Sequence, residues 1–354
     1  MSKYIAIALL VVAGVFAGAA SVSAQSAMLN LPRASQHARV TQRIGITDIT
    51  IDYSRPLVGG RKMLLLPYGQ VWRAGANENT TIEFSDPVTI EGQPLPKGIY
   101  GLHMIPGETS WAIILSKNST SWGSFTYDKA EDVLRVTVNR QASENQEEAL
   151  RYDFDDMKPD SAVITMRWGK IVVPFKVEVN TPEIVEASLR KQLRGRVQFE
   201  WQPWMEAADY LLDNKLSAEE ALKYAELSIE NEDRFEGEMT KARALTVLGR
   251  KDEALAAHDR AIALGTQLQV QSFARGLQRQ GRQDEALELF RINIKKDPNS
   301  WIAHNEAARL AVAKGDFDTA VKEMKLALAG SPESLKGQHS ELIRLLESKV
   351  DINR

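Results

Sequence analysis

The stretch Ile171–Glu183, with the sequence IVVPFKVEVNTPE, marks a change from one kind of structure to another. Over residues 171–179, apolar side chains occupy every second position, which is the pattern of a β-strand. Thr181, Pro182 and Glu183 then predict a helix start, with threonine as N-cap and proline at the first helical position. Apolar residues recur at helical spacing from there onward. The sequence therefore predicts a multidomain protein, all-β before this point and all-α after it.

Strand patterns recur upstream of this boundary. Apolar and polar residues alternate over Thr47–Tyr53, and residues that are apolar on both faces occupy Ile99–Ile105 and Trp111–Leu115. Turn residues separate these runs, and no helical pattern lies between them. Short strands at this spacing predict an all-β sandwich or barrel over residues 28–180. Because Pro174 has no N–H to donate, the last strand, Ile171–Val179, is predicted to lie at a sheet edge.

The helical half contains a repeat. Alanines spaced 33, 32 and 34 residues apart follow a turn in each unit, at Ala221, Ala254, Ala286 and Ala320. This period resembles the tetratricopeptide repeat, although His258 replaces the usual phenylalanine of the second unit. The resemblance implies helical hairpins stacked into a solenoid over residues 205–334. A helical linker is predicted over residues 181–204, and a capping helix over residues 335–354.

Residues 1–24 have the features of a secretory signal peptide. Lys3 is followed by the apolar run Tyr4–Ala20, and Val22-Ser23-Ala24 is a small-residue cleavage site. An uncleaved membrane anchor is the alternative, but a run of about 17 residues is at the short limit for a span. No second long apolar run follows. The sequence predicts an extracytoplasmic protein, periplasmic or secreted, without a membrane span after cleavage.

Composition excludes several kinds of chemistry. The 354 residues include no cysteine, which excludes disulfides, thiolate nucleophiles and cysteine-ligated zinc. The net charge is −3, and neither half carries the basic excess that neutralises phosphates, so nucleic acid is not an expected partner. No cofactor motif is present, and no cofactor is predicted.

Several blocks in the first half resemble a single bacterial family. They are Tyr53–Pro56 (YSRP), Val71–Thr80 (VWRAGANENT), Leu95–Gly107 (LPKGIYGLHMIPG) and Trp122–Phe125 (WGSF). Over residues 28–179 the chain looks like the secreted domain-of-unknown-function family 2911. The resemblance implies a β-rich extracytoplasmic domain and implies no activity.

Polar residues gather between the strand patterns at Arg73, Asn77, Glu78 and His103. Arginine suits carboxylate or phosphate groups, asparagine donates and accepts, and glutamate can accept a proton. We interpret them as a site for a small polar ligand or glycan. One alternative is a structural turn in which Arg73 pairs with Glu78. Another is a hydrolase or isomerase with Glu78 as base and Arg73 as anion clamp. His103 has no metal-binding companion in the sequence, so no metal is predicted.

The first helices of the repeats are expected to line a concave face. Polar residues on them are candidate partner contacts, namely Gln271, Arg275, Gln278 and Asn305. Because no catalytic constellation is evident, the sequence predicts an exported binding or scaffold protein whose repeats hold a protein or peptide partner. The alternatives are the enzyme described above and a purely structural envelope protein whose repeats pack only on the β-domain.

Overall fold

A computed structural model describes residues 31–60 and 66–353 of the chain. The predicted signal peptide, residues 1–24, lies outside these ranges. Within them, ten β-strands come first and ten α-helices follow. The predicted order of an antiparallel β region and a helical region is therefore confirmed. No helix in the described ranges is long and apolar enough to cross a membrane.

The strands form two antiparallel sheets. They are β1 Gln36–Ile44, β2 Thr47–Arg55, β3 Thr81–Phe84, β4 Val88–Ile90, β5 Gln93–Leu95, β6 Gly98–Ile105, β7 Ser110–Ser116, β8 Asp132–Asn139, β9 Gln141–Lys158 and β10 Ser161–Glu178. One sheet has the order β1-β2-β3-β6-β7-β8 and the other β5-β4-β10-β9. Both contribute to one apolar core, with Trp111 from the first sheet and Phe175 from the second fully buried. Alternation along each strand thus directs one face inward.

Strand β10 joins two segments that the sequence pattern separates. The apolar run Val163–Trp168 lies in the same strand as the predicted strand Ile171–Val179, and the register against β9 shifts around Gly169. Gly169 has a φ of +59°, which a glycine adopts without steric cost. The glycine therefore produces an irregularity within one long strand instead of a turn between two.

Pro174 does not place β10 at a sheet edge, and that prediction is wrong. Strand β10 lies between β4 and β9. Its register with β9 extends to the pair Val172–Gln141, and its register with β4 begins at the pair Val177–Ile90. Pro174 lies where pairing passes from one neighbour to the other. A residue without an N–H is tolerated there because no ladder bond is required of it.

Strand β9 was not predicted, because its sequence is rich in charge and lacks clean alternation. In the structure its acidic residues pair with arginines on the same sheet face. Arg167 of β10 contacts Asp153 at 3.0 Å and Asp155 at 2.6 Å. Such opposite charges across neighbouring strands stabilise the pairing.

The helical region consists of paired helices. They are α1 Thr181–Gln192, α2 Trp201–Asp213, α3 Ala218–Asn231, α4 Phe235–Val247, α5 Lys251–Leu264, α6 Gln267–Arg279, α7 Gln283–Ile294, α8 Trp301–Val312, α9 Phe317–Gly330 and α10 Glu333–Glu347. The helices α2 to α9 form four hairpins in sequence order. Helix α2 begins four residues before the predicted repeat boundary at 205. The N-cap of α1 is Asn180, not Thr181 as predicted, and Thr181 is the first helical residue.

The hairpins do not share one continuous core. One apolar cluster joins α2 to α5, a second joins α6 and α7 with Ile262 at the end of α5, and a third joins α8 to α10. The repeat alanines Ala221, Ala254, Ala286 and Ala320 are all buried in these clusters. Small side chains there let the two helices of a hairpin approach closely. Between α5 and α6 the hairpins contact each other only at one end, through Ile262 and its neighbours.

Candidate functional site

Three loops meet at one end of the six-stranded sheet. The loop after β2 pairs with β6 through Trp72, whose N–H donates to the carbonyl of Met104 at 2.8 Å. The same loop contacts the β7–β8 loop, where the Asn79 N–H donates to the carbonyl of Ser121 at 3.2 Å. The segment ahead of β1 closes the third side. The sequence-predicted residues of the β-domain all lie in this region.

Arg73 has no carboxylate partner in the described part of the chain. Its Nη1 donates to the carbonyl oxygen of Asn77, and its guanidinium lies over the ring of Phe125 at 5.2 Å. Gly123 lies against the guanidinium, since a Cβ there would fall 2.4 Å from its Cζ. Partial burial lowers the pKa of Arg73. The arginine is thus held in place by a carbonyl and an aromatic ring, with donors remaining for an anion.

Glu78 does not join Arg73. Its carboxylate pairs with Arg33 at 2.5 Å, and Arg33 also lies 5.6 Å from the ring of Trp122. Burial raises the pKa of Glu78, but the bond from Arg33, a backbone hydrogen bond and the charges of Arg33 and His37 together outweigh it, so the pKa is lowered. A general base needs a pKa near the working pH, so this environment disfavours that role. The Arg73–Glu78 ion pair of the structural alternative is not formed.

Asn77 anchors the segment ahead of β1. Its Nδ2 donates to the carbonyl of Ser35 at 3.2 Å, and its φ is +61°. Asparagine tolerates this left-handed conformation better than most residues with a Cβ. Asn77 and Glu78 therefore fasten residues 33–35 to the loop, and this contact spans more than forty residues of sequence.

His103 is buried behind Arg73. Its Nδ1 lies 2.9 Å from the Ser124 hydroxyl, and its ring meets the Tyr127 ring edge-on at 5.4 Å. Burial lowers the pKa of His103 to about 4, with a smaller opposing effect from Asp132. The imidazole is therefore neutral at pH 7. The described residues contain no group of three or more His, Asp or Glu side chains suited to a metal.

A second layer behind His103 was missed in the sequence. The Tyr127 hydroxyl donates to the Asp132 carboxylate at 2.8 Å, and Arg135 contacts both groups, at 2.6 and 2.7 Å. Burial raises the pKa of Tyr127 to about 12, reinforced by the bond to Asp132. These groups satisfy one another and support the His103 ring. Only Tyr127 carried a sequence signal, as an aromatic residue beside the WGSF block.

The predicted partner contacts of the repeats lie together on α6 and α8. Gln271, Gln278 and Asn305 are buried, and Arg275 is half-buried. Arg275 donates to Gln278, whose Nε2 donates in turn to the Asn353 Oδ1 at 3.1 Å. The chain's own residues 351–353 thus cover part of this face. Whether these four side chains contact a partner stays a prediction.

A cleft of about 1120 Å³ separates the second hairpin from the third. Apolar side chains from four helices line it, namely Val247 of α4, Leu255 of α5, Phe273 of α6 and Ile292 of α7. Val247 is 68% exposed, Leu255 62% and Ile292 38%, although all three are large and apolar. This cleft was not among the sites predicted from the sequence.

The replacement of the usual repeat phenylalanine by His258 is the sequence signal that could have located the cleft. The third hairpin carries the fully buried Phe290 four residues after Ala286. At the same place after Ala254, the second hairpin carries His258, which lines the cleft. Loss of a large apolar side chain at a packing position removes the group that would fill the space between neighbouring helices.

The two hairpins still touch at one end of the cleft. The Gln269 Nε2 donates to Glu236 at 2.7 Å, and the Phe235 ring meets the Phe273 ring edge-on at 6.5 Å. Lys296 closes the C-terminal end of α5 by donating to the carbonyl of Ile262 at 2.6 Å. Because α5 and α6 do not pack along their lengths, the cleft opens away from these contacts.

The β region matches a known protein family. Residues 35–177 match the family described as protein of unknown function, DUF2911. The resemblance stated from the sequence blocks is thereby confirmed for this DUF2911 region. No curated protein matches the chain.

Solved structures that match the chain include tetratricopeptide proteins. The chain covers 33% of one chain of the APC/C hetero-tetramer Cut9-Hcn1, with 19% identity, a TM-score of 0.29 and 48% of this chain aligned. It covers 84% of YrrB, a TPR protein with an unusual peptide-binding site, at 20% identity and TM-score 0.27, with 46% of this chain aligned. It covers 92% of MamA, at 21% identity and TM-score 0.29, with 45% of this chain aligned. The chain thus spans about a third of the first of these structures. The repeat architecture is argued from this chain's own hairpins and their spacing.

Proposed function

We propose that the protein is an exported binding scaffold whose repeats hold a protein partner. The observation that carries the proposal is the apolar cleft between the second and third hairpins. Soluble proteins seldom expose contiguous apolar surface without a use for it. Repeat arrays offer extended surfaces of this kind. The export part of the proposal is supported by the signal-peptide pattern of residues 1–24.

The partner that fits this cleft is an amphipathic helix. The cleft lies between helical walls, so an inserted helix can place apolar residues at i, i+3, i+4 and i+7 against them. Lys251, Asp259 and Glu288 line the same cleft and supply charges of both signs. Such a rim suits the polar flank of an amphipathic helix.

Replacing Leu255 with aspartate should abolish this binding without unfolding the protein. An exposed substitution changes stability by about 0.5 kcal/mol or less, whereas loss of a leucine contact weakens binding by at least about tenfold. The probe is a fluorescent amphipathic peptide of leucine and glutamate, about 14 residues long, read by anisotropy. Leu268→Asp is the matched control, because Leu268 is 53% exposed on α6 and does not line the cleft. Equal losses in both variants, or no binding to the wild type, would reject the cleft as the partner site.

We propose further that the DUF2911 region holds a small anionic ligand, such as a phosphate or an acidic sugar, at Arg73. The supporting observation is a half-buried guanidinium that is positioned by Asn77 and Phe125 and has no carboxylate partner in the described ranges. Planar guanidinium groups bind carboxylate and phosphate through paired hydrogen bonds. Neutral His103 adds a hydrogen-bonding group behind it.

Arg73→Met should remove anion binding from this end of the sheet. The measurement is the change in the amide NMR signal of Gly123, which lies against the guanidinium, during titration with inorganic phosphate and separately with acetate. The wild type should give a saturable shift that the variant lacks. Arg43→Met is the control, because Arg43 is exposed and already paired with Asp48 at 2.7 Å. A shift that persists in Arg73→Met would show that the anion binds elsewhere.

A further inference from the structure

The residues after α10 turn back across the face formed by the first helices of the repeats. Helix α10 ends at Glu347, and Lys349 then adopts a φ of +56°. The Val350 N–H donates back to the carbonyl of Leu345 at 2.9 Å, which closes the helix end. This reversal carries residues 351–353, the tail segment, from α10 onto α8 and α6.

The tail segment is held by hydrogen bonds to its backbone and by contacts of two of its side chains. The Arg309 Nη1 donates to the carbonyl of Ile352 at 2.7 Å, and the Asn353 Nδ2 donates to the carbonyl of Arg309 at 3.0 Å. On the other side of its carboxamide, Asn353 accepts from the Gln278 Nε2 at 3.1 Å. Ile352 is buried in the apolar cluster that contains Val312. Both the aliphatic side chain and the carboxamide therefore have complementary partners.

The groove that holds the tail segment is cationic. Arg309 is buried on α8, close to Arg275 of α6. Burial, reinforced by the charge of Arg275, lowers the pKa of Arg309 to about 9, while Glu306 and Asp351 act in the opposite direction. Burial and the charge of Arg279, also on α6, lower the pKa of Arg275 in the same way. Burial raises the pKa of Glu306 to about 8, so this glutamate is largely uncharged at pH 7. The tail supplies the negative charge through Asp351.

We propose that Asp351-Ile352-Asn353 is an intramolecular ligand of this groove, and that a partner peptide of the type Asp–aliphatic–Asn displaces it. The groove then recognises an acidic side chain, an aliphatic side chain and a carboxamide in that order. This inference extends the proposed scaffold function by a second partner surface. The groove shares no contacting residue with the cleft between the second and third hairpins, so either site can fail alone.

Tethering sets the affinity that an outside peptide must reach. A short linker gives the tail segment an effective concentration in the millimolar range, so the wild-type groove is mostly occupied by its own chain. An outside peptide binds only as far as it outcompetes the tail. Disabling the tail segment should therefore raise the affinity for a peptide that carries the same sequence.

The experiment compares the wild type with the double variant Ile352→Asp, Asn353→Ala in the full chain. The probe is a labelled peptide with the sequence of Lys349–Asn353, blocked at both ends, and its binding is read by anisotropy. We expect the double variant to bind it at least about tenfold more tightly than the wild type. Val350→Ser is the control, since Val350 is exposed beside the tail segment, and it should bind like the wild type. Equal affinity in the double variant and the wild type, or a probe with isoleucine changed to aspartate binding equally well, would overturn the proposal.

A second measurement covers the case in which the double variant folds poorly. Because the chain has no cysteine, Val350→Cys accepts a single fluorophore next to the tail segment. Excess unlabelled peptide should increase the mobility of this fluorophore in the otherwise intact protein. An unchanged signal at saturating peptide would show that the tail segment is a fixed part of the fold and not a displaceable ligand.

Discussion

Replacing Glu306 with glutamine is expected to remove most of the stability loss that the wild type undergoes as pH rises from 4.5 to about 8. Glu306 is fully buried on α8. Its Oε1 accepts from the Asn293 Nδ2 at 2.7 Å, and its Oε2 is buried without a hydrogen-bond partner in the described part of the chain. Burial raises its pKa to about 8, while Asn293 and the charge of Arg309 oppose the shift.

The direction of the effect follows from proton binding. Over this pH range the folded chain keeps a proton on Glu306, and the unfolded chain releases it. The stabilisation is therefore fully present below pH 4.5 and is lost as pH rises through about 8. A shift from 4.5 to about 8 corresponds to about 5 kcal/mol of unfolding free energy, of which about 4 kcal/mol is lost between these two pH values. Glutamine is neutral at every pH and retains an acceptor for Asn293.

Urea denaturation at the two ends of this range measures the difference. Between pH 4.5 and about 8, the unfolding free energy of the wild type should fall by about 4 kcal/mol more than that of Glu306→Gln. Glu285→Gln serves as the control, because Glu285 is exposed on α7, and it should follow the wild type. If Glu306→Gln loses as much stability as the wild type, the carboxyl group does not hold a proton in the fold.

Gly45→Ala is expected to destabilise the protein by about 3 kcal/mol, through strain and a steric clash together. Gly45 joins β1 to β2 with a φ of +58°. A Cβ at this position would lie 2.3 Å from the Oγ1 and 2.6 Å from the Cγ2 of Thr181, the first residue of α1. The substitution would therefore push the β1–β2 turn away from the start of the helical region.

Gly59→Ala separates the two contributions. Gly59 has a φ of +56°, and an added Cβ would meet none of the described residues within 4 Å, so we expect the conformational cost of about 1 kcal/mol alone. Adding Thr181→Ala to Gly45→Ala removes the two nearest atoms and leaves only the Thr181 Cβ position, at 3.0 Å, so stability should return most of the way to the Gly59→Ala level. Thr181→Ala alone should be nearly neutral, because its buried hydroxyl has no partner in the described residues. Urea midpoints that are equal for Gly45→Ala and Gly59→Ala would contradict the clash.

Local patterns in the chain were sufficient to predict whether most elements are strands or helices. Alternation over Thr47–Tyr53 and the spacing of Ala221, Ala254 and Ala286 depend on neighbours within one strand or one helical turn. The same reasoning failed at Pro174, since the pairing of a strand is decided by residues far away in sequence. It also failed for β9, whose acidic residues become compatible with a sheet only opposite Arg167.

In the candidate site, too, the residues were predictable from the sequence and their partners were not. Sequence reasoning selected Arg73, Asn77, Glu78 and His103, and the structure brings all of them to one end of a sheet. It could not assign their partners, because Glu78 pairs with Arg33 across 45 residues of sequence.

By itself, the sequence determined the change from strands to helices near Thr181, the period of the hairpins and the DUF2911 resemblance. These three features depend only on short-range periodicity and on contiguous motifs. Only the tertiary structure decided that His258 borders an open cleft and that residues 351–353 cover α6 and α8. Both outcomes depend on packing between elements distant in sequence. Such packing is set by which surfaces remain after each hairpin has buried its own apolar face.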